Sequence, residues 1–249
     1  GTNEEKFKAM VRYMDKLVGK LMDALEAEGL RDETIIIYTT DNGTMTSQTG
    51  IRNGHEVPGA KARRVEAGTA MPFIVSCPAI VPISNVTDAL TDFTDILPTF
   101  AELAGTEVNP RWPVDGHSIT PLLLGEADDT PREWILSQGG HPASFRNNRV
   151  VPADRFDDRV IRNKTWKLWV NTEREPVQLY DLKNDPWEEN NLIDSNRNDA
   201  RAAKKKLMKV IKKMPKTDAA PRYDPNPAMP WDREDYQGVS QAPAQCFIN

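Results

Sequence analysis

The stretch IIIYTTDNGTMT, residues 35–46, is an apolar run that ends in two oxygen-bearing side chains and a glycine. Residues 35–40 are all β-branched or aromatic, which is typical of a strand buried on both faces, as in a parallel sheet. Asp41, Asn42 and Gly43 follow directly. Ligands of open α/β sheets bind beyond the carboxyl ends of the strands. This stretch therefore predicts both a fold class and a candidate site.

Helix and strand patterns on either side of this stretch predict an α/β domain. A long amphipathic helix with one buried face is predicted to begin near Asn3 and to end at Gly29, since its apolar residues recur at spacings of three and four. Residues 72–77 predict a second strand, and TDFTDILPTFAELAG, residues 91–105, predicts a second helix. The order helix, strand, loop, strand, helix indicates part of a mixed, mostly parallel sheet flanked by helices.

The character of the chain changes after about residue 130. Short strands are predicted at residues 133–138, 159–163, 165–171 and 177–182, followed by a basic amphipathic helix at about 196–214. This pattern indicates a small antiparallel sheet packed with a C-terminal helix. We therefore expect three regions: an α/β part at 1–130, a small α+β subdomain at 131–214 and a Pro-rich tail at 215–249.

Composition excludes several classes of protein. The 249 residues carry a net charge of −5, and the only basic block is residues 201–213, which argues against nucleic acid as a partner. No apolar run approaches the roughly 18 residues of a membrane span, so we expect no membrane partner. The two cysteines, Cys77 and Cys246, form no CxxC pair, which excludes a zinc knot and leaves a single disulfide open.

Asp41-Asn42-Gly43 has several interpretations. Asn-Gly is a strong hairpin signal, but the polar residues that follow do not alternate as a partner strand would. Asn42-Gly43-Thr44 also fits a glycosylation acceptor. An EF-hand loop fails because Gly43 and Met45 fall where oxygen ligands are required. The remaining interpretation is a site for Ca²⁺ or Mg²⁺, since Asp and Asn both present hard oxygen atoms.

Residues 59–73, GAKARRVEAGTAMPF, help to choose between these interpretations of Asp41-Asn42-Gly43. Together with the preceding Asp-Asn-Gly they resemble the sulfatase family, within the alkaline-phosphatase-like superfamily. The family pattern is a strand ending in Asp-Asn-Gly, then Lys-Gly-Thr-x-x-Glu-(Gly/Ala)-Gly-x-x-x-Pro. The matching positions here are Lys61, Glu66, Ala67, Gly68 and Pro72. Ala62 and Arg63 replace the Gly-Thr of the pattern. The resemblance extends from about residue 5 to residue 193.

The resemblance implies a sulfuric ester hydrolase that acts on a sulfated carbohydrate or an aryl sulfate through a Ca²⁺-bound formylglycine. Asp41 and Asn42 would be two of the Ca²⁺ ligands, and Lys61 would bind the sulfate group. His55 lies six residues before Lys61 and is a further candidate to contact the substrate. The expected partner is an anionic sulfate ester, and members of the family are usually exported, whether periplasmic, extracellular or lysosomal.

The nucleophile of the family does not match any cysteine here. Formylglycine is made from Cys or Ser in a C/S-x-P/A-x-R motif, whereas Cys77 is followed by PAIV and Cys246 by only three residues. We therefore interpret the chain as the C-terminal portion of a sulfatase that lacks the nucleophile and some metal ligands. Alone, it is expected to be inactive and to associate with its missing part or with itself.

Two other functions stay open. Phosphoesterases of the same superfamily typically show Asp-His where this chain has Asp41-Asn42, and they hold two Zn²⁺ ions with several histidines. A phosphonate or phosphate esterase on the sulfatase scaffold is nevertheless compatible with the sequence. A non-catalytic binding fragment is the second alternative.

Overall fold

The computed structural model describes residues 1–82, 85–139 and 158–216, and the backbone of 143–146 and 149–152. The chain has the predicted α/β fold. Its helices are α1 (Asn3–Ala27), α2 (Glu66–Thr69), α3 (Ile96–Leu103), α4 (Thr120–Leu123) and α5 (Asn198–Lys213). Its strands are β1 (Ile36–Thr39), β2 (Thr49–Arg52), β3 (His55–Pro58), β4 (Phe73–Ser76), β5 (Ile135–Gln138), β6 (Ala143–Arg146), β7 (Arg149–Pro152), β8 (Arg159–Arg162), β9 (Trp166–Val170) and β10 (Pro176–Asp181).

Helix α1 forms where the sequence predicts it. Its N-cap is Thr2 rather than Asn3, and a capping box joins Thr2 and Glu5: each side chain accepts a hydrogen bond from the backbone N–H of the other. The predicted buried face is wrong, because no residue of the helix is buried, and Met10 is 67% exposed. The spacing of apolar residues identifies the apolar face of a helix, but burial also requires a second element packed along that face.

Strands β1 and β4 pair antiparallel, with Ile36 opposite Ser76 and Thr39 opposite Phe73. The parallel neighbour expected for β1 is therefore absent among the described strands. Residues 40–72 return the chain directly alongside β1, whereas a parallel pair requires a crossover connection. The predicted burial of β1 on both faces is also wrong, because all four of its residues are half-buried. An apolar run therefore determines neither the direction of a strand nor what covers its faces.

The long loop after β1 contains a hairpin that the sequence analysis did not predict. Strands β2 and β3 pair antiparallel, with Arg52 opposite His55. Asn53 and Gly54 between them adopt φ values of +54° and +79°. Positive φ at both central residues is the requirement of a type I′ turn, for which Asn-Gly is the preferred pair. The hairpin signal was therefore present at residues 53–54 rather than at residues 42–43.

The second half confirms the predicted antiparallel sheet and C-terminal helix. The sheet has strand order β10-β9-β8-β5, and every neighbouring pair is antiparallel. Helix α5 packs against it and closes the main apolar core. The core residues are Ile161, Leu168, Val170, Leu179, Ala200, Leu207 and Ile211. A separate hairpin, β6–β7, was not predicted. Residues 217–249, which include most of the predicted tail and Cys246, lie outside the described residues.

A buried carboxylate joins the segment before α3 to the chain that enters β5. Asp95 is 1% exposed and accepts hydrogen bonds from the backbone N–H of His117 at 2.8 Å and from the guanidinium of Arg132. Such multiple bonding compensates the cost of burying the charge.

In the part of the chain that the structure describes, no helix has the length and apolar character needed to cross a lipid bilayer.

Candidate active site

A cleft of about 980 Å³ lies where the end of β1, the loop at residues 62–71 and the faces of β5, β8 and β9 meet. Its lining is rich in cations. The charged and amide side chains that line it are Asp41, Asn42, Arg52, Arg63, Arg64, Asp88, Asp92, Gln138, Arg162, Lys164 and Lys167. Six of these eleven are Arg or Lys and three are Asp, so cations predominate on the cleft wall although the whole chain is acidic.

Gly43 is required because another part of the backbone lies against it. A Cβ at this position would lie 2.2 Å from the carbonyl oxygen of Ala67 and 2.8 Å from the Cα of Gly68. The Gly43 N–H donates a 3.1 Å hydrogen bond to the carbonyl of Gly68, and the Lys61 N–H donates a 2.9 Å bond to Thr44. The Asp-Asn-Gly turn and the loop that carries Lys61 therefore form one packed unit.

Asp41 and Asn42 lie at the carboxyl end of β1 and line the cleft, as the sequence predicts for this edge. Asp41 is exposed and Asn42 is half-buried. Neither side chain is engaged in an ion pair or hydrogen bond with a described residue, so the carboxylate of Asp41 and the amide oxygen of Asn42 are free to bind a ligand. In kind they fit a hard cation such as Ca²⁺, which takes about six to eight oxygen ligands. The described residues contain no group of three or more acidic, His or Cys side chains that would hold a metal.

Lys61 lies at the rim of this unit. Its side chain is exposed and is outside the cleft lining, whereas its neighbours Ala62, Arg63 and Arg64 line the cleft. Ala62 adopts a φ of +66°, which is the left-handed region that favours glycine. The family pattern has Gly at this position, so the backbone conformation is retained although the residue differs.

His55 is placed away from the cleft lining. Its ring stacks on Trp187 at 4.4 Å between centroids with an interplanar angle of 10°. Its Nε2 lies 3.7 Å from a carboxylate oxygen of Glu189. In this arrangement His55 attaches the β2–β3 hairpin to the segment after β10.

A charge network beneath the cleft was not predicted from the sequence. The Glu66 carboxylate of α2 accepts a 3.0 Å hydrogen bond from Lys167 Nζ on β9 and also pairs with Arg162 on β8. Lys167 is only 1% exposed, and its Nζ lies 3.0 Å from Glu188 Oε1. The second Glu188 oxygen accepts the backbone N–H of Glu66. Glu66 belongs to the sequence pattern, but nothing in the strand WKLWV marks its lysine as buried.

Two more lining cations are held by carboxylates. The guanidinium of Arg64 pairs with Asp158 and lies 5.5 Å from the ring centre of Trp169. Lys164 Nζ lies 2.8 Å from Asp129 and 3.0 Å from Asp88. Hydrogen bonding to Asp129 and then to Asp88 raises the pKa of Lys164, and the bond from Lys164 lowers the pKa of Asp129. The positive charge of Lys164 and the negative charge of Asp129 therefore stabilise each other where the chain leaves β8 at the cleft.

Known sequences match the chain over most of its length. The sequence profile described as Sulfatase matches residues 5–106, and that described as N-sulphoglucosamine sulphohydrolase, C-terminal, matches residues 61–217. The chain is 31% identical to a choline-sulfatase of Rhizobium meliloti over 192 residues, which are 76% of this chain and 33% of that protein. It is 33% identical to arylsulfatase A of Homo sapiens over 194 residues, 72% of this chain and 37% of that protein.

A solved structure of a protein in complex with its substrate D-glucosamine-2-N,6-O-disulfate has the same fold. It aligns with a TM-score of 0.62 and 26% sequence identity, over 81% of this chain and 38% of that chain. The chain spans about a third of the length of the curated relatives that it matches. The residues that match the Sulfatase profile, 5–106, contain both the Asp-Asn-Gly turn and the loop packed against it.

Proposed function

The chain belongs to the sulfatase family, and on that premise we propose that it supplies one wall of a sulfuric ester hydrolase site. The substrate is a sulfate ester of a carbohydrate or a phenol. The observation that carries this proposal is the position of Asp41 and Asn42 at the end of β1, unpaired, on the wall of a cation-lined cleft. Oxygen donors beside several cations suit a site where a metal and an anionic ester meet.

In this site the residues of the chain bind and orient the ester. Asp41 and Asn42 would hold a Ca²⁺ ion, which when bound adds a fixed positive charge for the sulfate. Lys61, on the loop packed against the Asp-Asn-Gly turn, would donate to a sulfate oxygen. Fixed cations stabilise charge that develops on the ester oxygens without having to reorganise during the reaction. The packing of Gly43 against Gly68 joins the backbone of the Asp-Asn-Gly turn to the loop that carries Lys61.

A formylglycine does not fit at Cys77. Its thiol is 2% exposed, donates to the carbonyl of Asp32 at 3.0 Å and is outside the cleft lining. Because the residues after it are Pro-Ala-Ile-Val, the required arginine is also absent. We therefore propose that the nucleophile is supplied from outside residues 1–249 and that this chain alone does not turn over sulfate esters.

Hydrolysis of an aryl sulfate tests both parts of this proposal. We expect turnover by the product of the complete gene and none above a buffer blank by the 249-residue chain. Lys61→Ala is expected to lower kcat/KM by about 10²- to 10³-fold, the usual effect of removing one charge-stabilising donor. Lys6→Ala, an exposed lysine of α1, is the matched control.

Two results would contradict the proposal. Faster hydrolysis of phosphate or phosphonate esters than of sulfate esters would identify a phosphoesterase of the superfamily. Turnover by the 249-residue chain itself would place the nucleophile within it.

A further inference from the structure

The cations that line the cleft fall into two groups. Arg64, Arg162, Lys164 and Lys167 each form ion pairs with carboxylates of the protein. Arg52 and Arg63 also line the cleft, but both are exposed, and neither side chain is engaged in an ion pair or hydrogen bond with a described residue. The first group has its charge compensated by the protein, whereas the second retains its full capacity to bind an anion.

The hairpin that carries Arg52 is attached to neighbouring segments at both of its ends. It is the last residue of β2 and lies opposite His55 across the Asn53-Gly54 turn. The stack of His55 on Trp187 attaches this end of the hairpin to the second half of the chain. At the other end, the Gly59 N–H donates to the carbonyl of Gln48 at 2.7 Å. The backbone that carries Arg52 is therefore held at both ends of the hairpin.

Arg63 is also fixed through its backbone. Its N–H donates to the carbonyl of Ala60 at 2.9 Å, and its own carbonyl lies so close to Gly68 that a Cβ there would come within 2.1 Å. The left-handed Ala62 precedes it. A fixed backbone with a free guanidinium is suited to recognition, because only the side chain, and not the backbone, has to be ordered when an anion binds.

We propose that Arg52 and Arg63 form a second anion-binding position, so that the substrate is a saccharide with at least two anionic groups. This inference rests on the proposed function and specifies its substrate class. One anionic group is the sulfate that is hydrolysed beside Asp41, Asn42 and Lys61. The other, a second sulfate or a uronic carboxylate, is bound by the arginines, whose planar guanidinium groups donate paired hydrogen bonds to either anion.

The size of the cleft agrees with such a substrate. Its volume of about 980 Å³ lies at the upper end of the range of about 300–1,000 Å³ of small-molecule sites. A substrate with a single anionic group would leave Arg52 and Arg63 without an anion to bind. A substrate with a positive charge would be repelled by them.

The test compares three substrates of the complete gene product. The first is a disaccharide whose only charged group is one sulfate, the second is the same disaccharide with a second sulfate, and the third has a uronic carboxylate in place of the second sulfate. For the Arg52→Ala/Arg63→Ala double variant we expect KM to rise about 10-fold or more for a dianionic substrate, the lower range for loss of hydrogen bonds to a charged group. KM for the monosulfated compound is expected to stay unchanged. The dianionic substrate with the larger loss identifies the second anion.

The double variant Arg201→Ala/Lys205→Ala removes two exposed positive charges of α5, away from the cleft, and so controls for general electrostatic attraction. Equal changes in KM for mono- and dianionic substrates, or a change no larger than in this control variant, would overturn the inference. Lys61→Ala distinguishes this failure from failure of the proposed function, since loss of Lys61 should slow the hydrolysis of every sulfate ester.

Binding of the same saccharides to the 249-residue chain, followed by calorimetry, gives a second measurement that does not depend on turnover. Weaker binding of the dianionic saccharides alone in the double variant supports the inference. Equal affinity of the wild type for mono- and dianionic compounds overturns it.

Discussion

The ammonium group of Lys167 on β9 donates a 3.0 Å hydrogen bond to the carboxylate of Glu66 in α2, across 101 residues of sequence. Lys167 is buried and also pairs with the buried Glu188 at 3.0 Å. Removal of one partner from a buried pair leaves an uncompensated charge. Lys167→Met is therefore expected to lower the free energy of unfolding by about 3 kcal/mol or more, measured by urea denaturation.

Lys205→Met is the control for this prediction, because Lys205 lies on the exposed face of α5. Its effect is expected to stay within about 0.5 kcal/mol, as for most surface substitutions. If Lys167→Met were as mild as Lys205→Met, the pair with Glu66 would not contribute to stability.

Gly43→Ala is expected to destabilise the chain by about 1–3 kcal/mol, the usual cost of overpacking. The added methyl group would meet the backbone of Ala67 and Gly68, which has little freedom to move. Gly19→Ala in the middle of α1 is the matched control, since no atom lies within 4 Å of its Cβ position. That control should be stabilising by about 0.5–1 kcal/mol, because Ala is the better helix former. Thermal denaturation should show a lower melting temperature for Gly43→Ala and a higher one for Gly19→Ala. An unchanged melting temperature in Gly43→Ala would refute the close approach of Gly43 to Ala67 and Gly68.

Ala62→Gly is expected to stabilise the chain by up to about 1 kcal/mol. A left-handed conformation costs a non-glycine residue about 1–2 kcal/mol, part of which the greater chain entropy of glycine offsets. Ala24→Gly, the same change on the exposed side of α1, should be destabilising by about 1 kcal/mol. Denaturant titration compares the two variants, and loss of stability in Ala62→Gly would contradict the φ of +66°.

The ion pair between Lys164 and Asp129 predicts a pH dependence at both extremes. Because Lys164 lowers the pKa of Asp129 below its ordinary value of 3.8, the stabilisation is present above that value and is lost as pH falls further. Because the pKa of Lys164 is raised above 10.5, the stabilisation is also lost as pH rises beyond that value. Lys164→Met should therefore reduce the difference in melting temperature between pH 7 and pH 3.

Asp129→Asn should reproduce the acid part of this effect. Since both side chains are accessible to solvent, salt should weaken the wild-type dependence. An unchanged pH profile in Lys164→Met would show that the pair does not persist in solution.

Asn42→Ala is expected to weaken Ca²⁺ binding by more than about 10-fold, the lower limit for losing an outer partner of a metal site. Calorimetric titration of the complete gene product with Ca²⁺ measures this. Asn85→Ala serves as the control, because Asn85 is exposed and does not line the cleft. Equal Ca²⁺ affinity in wild type and Asn42→Ala would leave Asp-Asn-Gly as a strand-ending turn without a metal.

Much of the fold was predictable because secondary structure depends on neighbouring residues. The spacing of apolar residues predicted α1 and α5, and the β-branched run predicted β1. Strand direction was not predictable in this way. The antiparallel pairing of β1 with β4 depends on how a 33-residue connection returns, from residue 40 to residue 72.

The candidate site was predictable only in part, for a related reason. Asp41, Asn42 and Lys61 were singled out because they lie in a short, ordered pattern; Asp41 and Asn42 line the cleft, Lys61 does not, and their roles toward a metal and a sulfate stay predictions. The expectation for His55 relied on its closeness to Lys61 in sequence, whereas in the structure it stacks on Trp187, 132 residues away along the chain. Arg162 and Lys167 were not identifiable, since their partner Glu66 lies about 100 residues earlier.

By itself, the sequence determined the α/β class, the order of helices and strands, and the family pattern around Asp41-Asn42-Gly43. These properties depend on residue spacing over a few turns or strand lengths. Only the tertiary structure decided that α1 presents its apolar face to solvent, that Gly43 lies against Gly68, and that Lys167 is buried beneath the cleft. Burial, close approach and ion pairing are properties of groups distant in sequence, and they exist only once the chain has brought those groups together.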